Sequence, residues 1–316
     1  MHKHKNLKTF HSIPEFHSAC KTVLTLGTFD GVHLGHQSIL KKLKDASVLL
    51  QCESLVLTFF PHPRMVLQQD SEIKLLNTIT EKTMLLERFG VDNLVIHPFD
   101  AAFSQLSAEA FVLEVLVKKF NIAKIIIGYD HRFGKNRSAT LDDLMVFGEK
   151  YSFEVEQISA QEIDEVSVSS TKIRTALDNG DVQTANAYLG YSYFFTGKVV
   201  KGRQLGRTLG YPTANIHIAE DYKLIPKVGA YIVSSDIDGK TVFGMMNIGF
   251  NPTVKGTHKT IEVHFFDFNA DLYEFEITVC LHQRLRDEQK FASVDLLKTQ
   301  LAQDKKEALE YVSKYF

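Results

Sequence analysis

The feature that most constrains the fold is the alternation of short apolar runs with amphipathic segments through the first half of the chain. Apolar runs of this length are typical of buried strands, and the segments between them carry apolar residues at helical spacing. The strand-like runs are residues 22–26, 54–60, 93–97, 124–127 and 153–158. The helical patterns are residues 37–49, 78–89, 107–120 and 141–151. Repeated strand–helix–strand units predict an α/β domain with a parallel, Rossmann-type sheet and right-handed crossovers.

The second half has a different pattern, in which β-branched and aromatic runs follow one another without helices between them. These runs are residues 193–200, 214–218, 230–234, 241–248, 260–268 and 272–280. Turn residues such as Asp238-Gly239 separate them, which predicts a small six-stranded antiparallel β-barrel. The tail, residues 286–316, is helical in period, and its predicted apolar side is Leu296, Leu297, Leu301, Ala308 and Leu309. A short helix is expected over 181–189, so we place the domains at 1–185 and 186–316.

Composition excludes several classes of protein. The net charge is −2 and no long basic block occurs, which argues against a nucleic-acid partner. No apolar run approaches the ~20 residues that cross a bilayer, and the basic amino terminus lacks the apolar stretch of a secretory signal. Three distant cysteines argue against a disulfide framework. We therefore expect a cytoplasmic protein whose partners are small molecules; the oligomeric state is not readable from the sequence.

The first candidate site follows the first predicted strand. Glycines at 27, 31 and 35 let the backbone turn tightly and approach a bulky anion. His33 and His36 lie at the opening of a helix, where ring N–H groups and backbone amides can point together at phosphate oxygens. Donors set in place in this way are what a nucleotidyl transfer needs, because negative charge develops on the phosphate oxygens.

Two further segments are expected to converge on the same spot. In a doubly wound sheet the first and fourth predicted strands are neighbours where the strand order reverses, and ligands bind beyond their carboxyl ends. The loop at 128–137 follows the fourth strand, and the helix start with Ser170, Thr171 and Arg174 follows the fifth. A histidine pair or a Ser-Ser-Thr helix start is most often structural on its own. Their predicted meeting at one crevice favours a phosphate site.

The stretch Gly27-Thr-Phe-Asp-Gly-Val-His-Leu-Gly-His36 resembles the HxGH signature of nucleotidyltransferases, in the form found in bacterial bifunctional riboflavin kinase/FAD synthetases. Residues 58–63, 128–130, 133–134 and 169–174 match the same family in order. The resemblance implies that His33 and His36 steady the transition state at the α-phosphate of ATP. It also implies that the following residues bind ATP or its phosphates: Gly27, Phe29, Asp30, Asp130, Ser170, Thr171 and Arg174.

The second candidate site opens the barrel region. Residues 197–215 hold four glycines and four basic residues, which predicts a flexible cationic flap that can wrap phosphates. Thr213 and Asn215 lie two residues apart at a strand start, so their oxygens share one face. Hard oxygens combined with substrate phosphates are the usual ligands of Mg²⁺. A kinase acting on an alcohol also needs a carboxylate, but composition and spacing alone do not choose between Glu262, Glu274 and Glu276.

The family resemblance makes that choice. Residues 212–215, 247–253, 262–264 and 285–291 resemble riboflavin kinase motifs. The match implies that Glu262 is the base at the riboflavin 5′-hydroxyl and that Thr213 and Asn215 bind Mg²⁺ and ATP phosphates. It further implies an ATP- or flavin-binding role for Gly202, Arg203, Gly206, Gly210 and Asn247.

The expected function is therefore the phosphorylation of riboflavin to FMN by Mg-ATP, followed by the adenylylation of FMN to FAD with release of pyrophosphate. Two alternatives stay open at this point. A nucleotidyltransferase acting on another phosphate ester, such as pantetheine phosphate, has no need of the barrel with Pro212-Thr-Ala-Asn215 and Glu262. A non-catalytic flavin-binding protein has no physical reason to keep both sets of polar residues.

Overall fold

The structure is a computed structural model that describes residues 6–67, 72–128, 132–159, 168–202, 205–253 and 256–316, with the backbone alone at 137, 205, 251–253 and 256–258. The chain forms two compact units, Met1–Ser169 and Ser170–Phe316. The predicted 185/186 boundary assigns residues 170–185 to the first domain, whereas these residues pack in the second compact unit. The boundary between the functional domains stays a prediction.

The first unit is a parallel sheet with helices between its strands. Its strands are β1 (Lys8–Phe10), β2 (Thr22–Leu26), β3 (Glu53–Phe59), β4 (Asn93–His97), β5 (Ile122–Gly128) and β6 (Glu154–Ile158). Its helices are α1 (Leu34–Leu49), α2 (Pro63–Leu67), α3 (Ile79–Arg88), α4 (Ala101–Ser104), α5 (Ala108–Ala110), which continues as a π-helical turn over Phe111–Val117, and α6 (Leu141–Tyr151). Five of the six strands were predicted; β1 was missed.

The strand order is β1-β4-β3-β2-β5-β6, and every pairing is parallel. β2 and β5 are neighbours, as predicted, and the order reverses between them. The crevice that such a reversal creates opens beyond the carboxyl ends of these strands. Side chains such as Leu24, Leu55 and Ile125 are buried in the core against Phe111 and Phe120. The sheet therefore holds the end of β2 in place beneath residues 27–33, which join β2 to α1 and are called the histidine loop below.

The helix α3 begins at a capping box, as the sequence predicted. Thr78 accepts a hydrogen bond from the Glu81 amide at 3.1 Å, and the Glu81 carboxylate accepts one from the Thr78 amide at 2.9 Å. Two backbone donors that would otherwise be unsatisfied are thereby paired. The first turn of α3 is consequently fixed, which positions the side chains that project from it.

The second unit is a closed barrel with two helices before it, one short helix between its first two strands and one helix after it. The helices are α7 (Ser170–Asn179), α8 (Val182–Leu189), α9 (Leu205–Thr208) and α10 (Val294–Tyr315). The strands are β7 (Phe194–Val200), β8 (Ala214–His217), β9 (Gly229–Ile237), β10 (Lys240–Thr253), β11 (Gly256–Phe265) and β12 (Glu276–Arg286). They close in the order β10-β11-β8-β7-β12-β9, which confirms the six-stranded antiparallel barrel. Among the described residues, no helix is long and apolar enough to span a bilayer.

The carboxyl-terminal helix is confirmed, but its start and its predicted apolar side are partly wrong. Ser293 caps the helix, while residues 287–293 before it are not helical. Leu296 and Leu309 are 54% and 41% exposed, whereas Ala308 is fully buried against the barrel. A bidentate ion pair also fixes the helix, with Arg286 Nη2 2.7 Å from Asp304 Oδ2. The buried side of the helix therefore passes through Leu301, Asp304 and Ala308 rather than through Leu296 and Leu309.

Candidate active sites

The loop between β2 and α1 is held in an unusual backbone conformation. Phe29 and Val32 have φ values of 46° and 36°, in a region of backbone conformation that residues other than glycine rarely occupy. Gly31 has a φ of 85°. Strain of this kind persists only where the surrounding structure holds the backbone, and it is concentrated at functional loops. The loop therefore has a defined shape before any ligand binds.

The two histidines of the loop lie together at the start of α1. His33 is the residue that precedes the helix, and its ring stacks on that of His36 with centroids 3.7 Å apart. Burial lowers the pKa of His36 well below its usual value, and the His33 ring and the Lys82 ammonium lower it further. His36 is therefore neutral near pH 7 and has one N–H to donate. The structure thus brings His33 and His36 to a helix amino terminus, where anions bind readily.

Phe29 and Asp30, which the sequence assigned to ATP binding, are buried in the structure. The Phe29 ring lies 4.9 Å from that of His36, and a Cβ added at Gly27 would lie 3.3 Å from the Phe29 ring. The Asp30 carboxylate, 1% exposed, accepts a hydrogen bond from the Leu76 amide at 2.9 Å. These contacts support the loop from beneath. Direct ATP binding by Gly27, Phe29 and Asp30 stays a prediction.

Sequence reasoning missed two buried polar side chains beside this loop. Lys82 of α3 donates to the Thr28 carbonyl at 2.7 Å. Asn77 is 1% exposed, and within the described part of the chain neither atom of its side-chain amide has a hydrogen-bond partner. Lysine and asparagine near a helix start are usually read as solvent-facing, so nothing local in the sequence marks them.

The remaining residues predicted for this site cannot be placed beside the histidines. Ser170, Thr171 and Arg174 lie in the first turns of α7, which belongs to the second compact unit. Asp130 lies outside the described residues. The convergence of all four with His33 and His36 stays a prediction.

The barrel site is built by the register of three neighbouring strands. Glu262 of β11 is directly opposite Asn215 of β8 on one side and Asn247 of β10 on the other. Directly opposed residues of antiparallel strands point to the same face, so these three side chains form one polar row. Thr213 lies next to the row, and its hydroxyl donates to Glu262 Oε2 at 3.2 Å. Four residues predicted from separate motifs thus meet at one place.

The glycine-rich flap packs closely on this row. A Cβ added at Gly202 would lie 2.2 Å from Asn215 Nδ2, and one at Gly206 would lie 2.2 Å from the Tyr211 carbonyl oxygen. Gly210 needs no such space, but its φ of 84° favours glycine. Arg203 lies outside the described residues. A side chain at position 202 would therefore displace either the Asn215 amide or the flap.

Two residues without a predicted role lie at the same face. A Cβ added at Gly249 would lie 2.5 Å from Glu288 Oε1 and 3.0 Å from Asn247 Nδ2, so Glu288 is next to the polar row. His264 is two residues after Glu262, and its Nδ1 donates to the Pro212 carbonyl at 2.9 Å. That bond fixes the segment that carries Thr213. In the sequence, only the riboflavin kinase-like motif at 285–291, which contains Glu288, could have indicated that this residue lies near the site.

Comparisons with known proteins match both halves of the chain. The FAD synthetase family model matches residues 15–172 and the riboflavin kinase family model matches residues 189–312. Bifunctional riboflavin kinase/FMN adenylyltransferases from Listeria monocytogenes and Bacillus subtilis are 38% and 36% identical, over 92% and 97% of this chain and 93% and 99% of their own.

The corresponding Escherichia coli protein is 36% identical, with 92% of each chain covered. A solved Streptococcus pneumoniae structure named as a macrolide-efflux protein is 32% identical, with a TM-score of 0.86 over 95% of this chain and 97% of that one. The ranges matched by the two family models contain the histidine loop and the polar row of the barrel, respectively. This chain belongs to the bifunctional riboflavin kinase/FMN adenylyltransferase family.

Proposed function

We propose that this chain uses ATP to phosphorylate riboflavin to FMN at the barrel site and then to adenylylate FMN to FAD at the histidine loop. The observation that carries the proposal is the polar row of Asn215, Glu262 and Asn247, with Thr213 hydrogen-bonded to its central carboxylate. A nucleotidyltransferase for another phosphate ester would have no use for this row.

At the barrel site Glu262 accepts the proton of the riboflavin 5′-hydroxyl while that oxygen attacks the γ-phosphorus of ATP and ADP leaves. The hydrogen bond from Thr213 to Glu262 Oε2 orients the carboxylate. The flap with Gly202, Gly206 and Gly210 closes over the phosphates, with Arg203 as an additional positive charge. Asn247 and Glu288 border the pocket on the side of β10.

The donor set of this row fits Mg²⁺. Threonine and asparagine supply neutral hard oxygens, and Glu262 supplies a charged one beside them, which is the chemistry that this ion prefers. We assign Thr213 and Asn215 as the residues that hold it together with ATP phosphates. When bound, the ion neutralises charge on the transferred phosphoryl group.

At the histidine loop an oxygen of the FMN phosphate attacks the α-phosphorus of ATP, and pyrophosphate leaves. The nucleophile is already ionised, so no strong base is required. His33 and His36 donate N–H groups to the oxygens on which charge develops, and the α1 amino terminus favours the same anion. Gly27, Phe29, Asp30 and Asp130 shape this pocket, while Ser170, Thr171 and Arg174 hold the departing phosphates.

A product profile tests the proposal directly. Purified protein given riboflavin and Mg-ATP is expected to yield FMN first and FAD later, with pyrophosphate released only in the second step. Chromatography of the flavins over time provides the measurement. Unchanged riboflavin would contradict the kinase assignment, and FMN without FAD would contradict the assignment of FMN adenylylation.

We also propose that the protein is cytoplasmic and that its partners are small molecules.

Gly202→Ala is expected to slow FMN formation about tenfold or more. The added Cβ would lie 2.2 Å from Asn215 Nδ2, so either the amide or the flap must move. Displacements of about 1 Å at a reacting site commonly cost one to two orders of magnitude in rate. FMN adenylylation by the same preparation serves as the control and is expected to remain unchanged. Wild-type kinase kinetics would show that the flap does not press on Asn215.

A further inference from the structure

A lysine that neither set of sequence motifs includes is buried behind the histidine loop. Lys82 projects from the first turns of α3 and is 3% exposed. Its Nζ donates to the carbonyl of Thr28, 54 residues away in sequence, at 2.7 Å. A buried ammonium is costly unless it is paired, so this one is retained against a desolvation penalty. The bond connects α3 to the segment that precedes His33.

A second connection joins the same two parts of the fold. The buried Asp30 carboxylate accepts a hydrogen bond from the Leu76 amide at 2.9 Å. Its negative charge also attracts the positive charge of Lys82. The capping box of Thr78 and Glu81 fixes the first turn of α3 between these two connections. The loop is therefore held at Thr28 by the Lys82 ammonium and at Asp30 by the Leu76 amide, on either side of one fixed helix start.

The loop needs such support because its backbone is strained. The positive φ values of Phe29 and Val32 lie on the chain between Thr28 and the histidines. Conformations of this kind are energetically costly and relax when the contacts that hold them are removed. A relaxed loop would shift His33 and, with it, the start of α1 that carries His36.

The charge of Lys82 also acts on the site. The Lys82 ammonium interacts electrostatically with the Asp30 carboxylate of the loop and with the His36 ring of α1. Its positive charge lowers the pKa of His36. Burial lowers the pKa of Lys82 itself to about 8, so the ammonium is mostly protonated at pH 7 and loses its proton as pH rises through about 8. The neutral amine binds a carbonyl more weakly than the ammonium does.

We propose that Lys82 is a positioning residue for FMN adenylylation, whose ammonium holds the Thr28 carbonyl and thereby sets the loop that carries His33 and His36. Lys82 acts through the loop and does not touch the substrate. The inference rests on the proposed function of the two histidines.

Two substitutions separate the positive charge from the bulk of the side chain. Lys82→Met keeps the length without the charge and is expected to lower kcat for FMN adenylylation about thirtyfold, with KM for ATP changed by less than about threefold. Lys82→Arg is expected to retain at least about a tenth of the wild-type rate, since arginine stays protonated. Lys44→Met is the matched control, because Lys44 pairs with Asp92 away from the loop, and wild-type rates are expected.

The pH profile distinguishes this role from a merely structural one. Wild-type FAD formation is expected to fall as pH rises through about 8, where Lys82 loses its proton. In Lys82→Arg this alkaline decrease should be absent up to about pH 9.5, because the guanidinium does not titrate there. FMN formation by each variant, within about twofold of wild type, verifies that the barrel unit is folded, and a near-wild-type KM for ATP in FMN adenylylation verifies the first unit.

Either of two results would overturn the proposal: a wild-type kcat in Lys82→Met, or an unchanged alkaline decrease in Lys82→Arg. A fault in the proposed function would look different. If His36→Ala, assayed alongside, kept wild-type FAD formation, the histidine assignment would fail irrespective of Lys82. If only the Lys82 variants kept their rates, the histidines would stand and the positioning role would fall.

Discussion

Glu262→Gln is expected to reduce FMN formation from riboflavin about a thousandfold while leaving conversion of supplied FMN to FAD within about twofold of wild type. The amide keeps the shape of the carboxylate and can still accept the hydrogen bond that Thr213 donates at 3.2 Å. It cannot take a proton from the riboflavin hydroxyl, and a positioned general base contributes about 10²–10⁴ in rate. The loss should appear in kcat, with KM for ATP little changed because Thr213 and Asn215 remain.

The matched control is Glu276→Gln. Glu276 lies in β12 of the same barrel, is exposed, and is opposite Lys198 rather than the polar row. Rates for FMN and FAD formation should therefore equal those of the wild type. Steady-state kinetics of each half-reaction provide the measurement. An equal loss in both variants would point to general damage, and an active Glu262→Gln would remove the base from this position.

The comparison of these carboxylates shows where sequence reasoning ends. Glu262, Glu274 and Glu276 all lie in polar–apolar stretches, and local pattern cannot rank them. The structure separates them by pairing: Glu262 is opposite Asn215 and Asn247, whereas exposed Glu274 forms an ion pair with Lys198 at 2.6 Å. Strand register depends on partners distant in sequence, so only the family resemblance could supply the choice in advance.

The parallel sheet was predictable because its signal is local and repeated. Each strand–helix unit predicts its own type, and right-handed crossovers then restrict the topology to a few arrangements. β1 was not predicted because it has only three residues, and its place in the sheet depends on its pairing with β4. The predicted face of α10 was partly wrong because its buried side includes a charged residue: the row that packs on the barrel passes through Leu301, Asp304 and Ala308, and Asp304 is paired with Arg286.

The histidines were predictable as a string, but their supports were not. The motif from Gly27 to His36 is contiguous, so one segment of sequence displays it entirely. Lys82 contributes through a hydrogen bond to Thr28 that spans 54 residues. A lysine in an amphipathic helix is usually solvated, and only the approach of the loop buries this one. Groups that support a site from another element carry no local signal.

The loop itself is tested by removing one ring of the stacked pair. His36→Ala is expected to lower the rate of FMN adenylylation about 10²–10³-fold, which is the usual cost of losing one preorganised donor at a developing charge. FMN formation from riboflavin should stay within about twofold of wild type, because Glu262 and its row belong to the barrel. His17→Ala, at an exposed position of the first unit, is the control and should behave as wild type.

A conservative substitution shows whether His36 acts as a donor or only as packing. The pKa of His36 lies well below its usual value, so the ring is neutral at pH 7 and offers a single N–H. His36→Asn also offers an N–H donor from a short side chain, and its rate of FAD formation is expected to be about tenfold higher than that of His36→Ala.

The double variant His33→Ala/His36→Ala tests whether the two histidines act together. It should be little slower than the slower of the two single variants, because the effects of donors that act as a unit are not additive. Single-turnover FAD formation is measured for the wild type, His33→Ala, His36→Ala, His36→Asn and the double variant. Equal rates for His36→Asn and His36→Ala would leave the stacked rings a packing role. Full additivity in the double variant would mean that the two histidines contribute independently rather than as a unit.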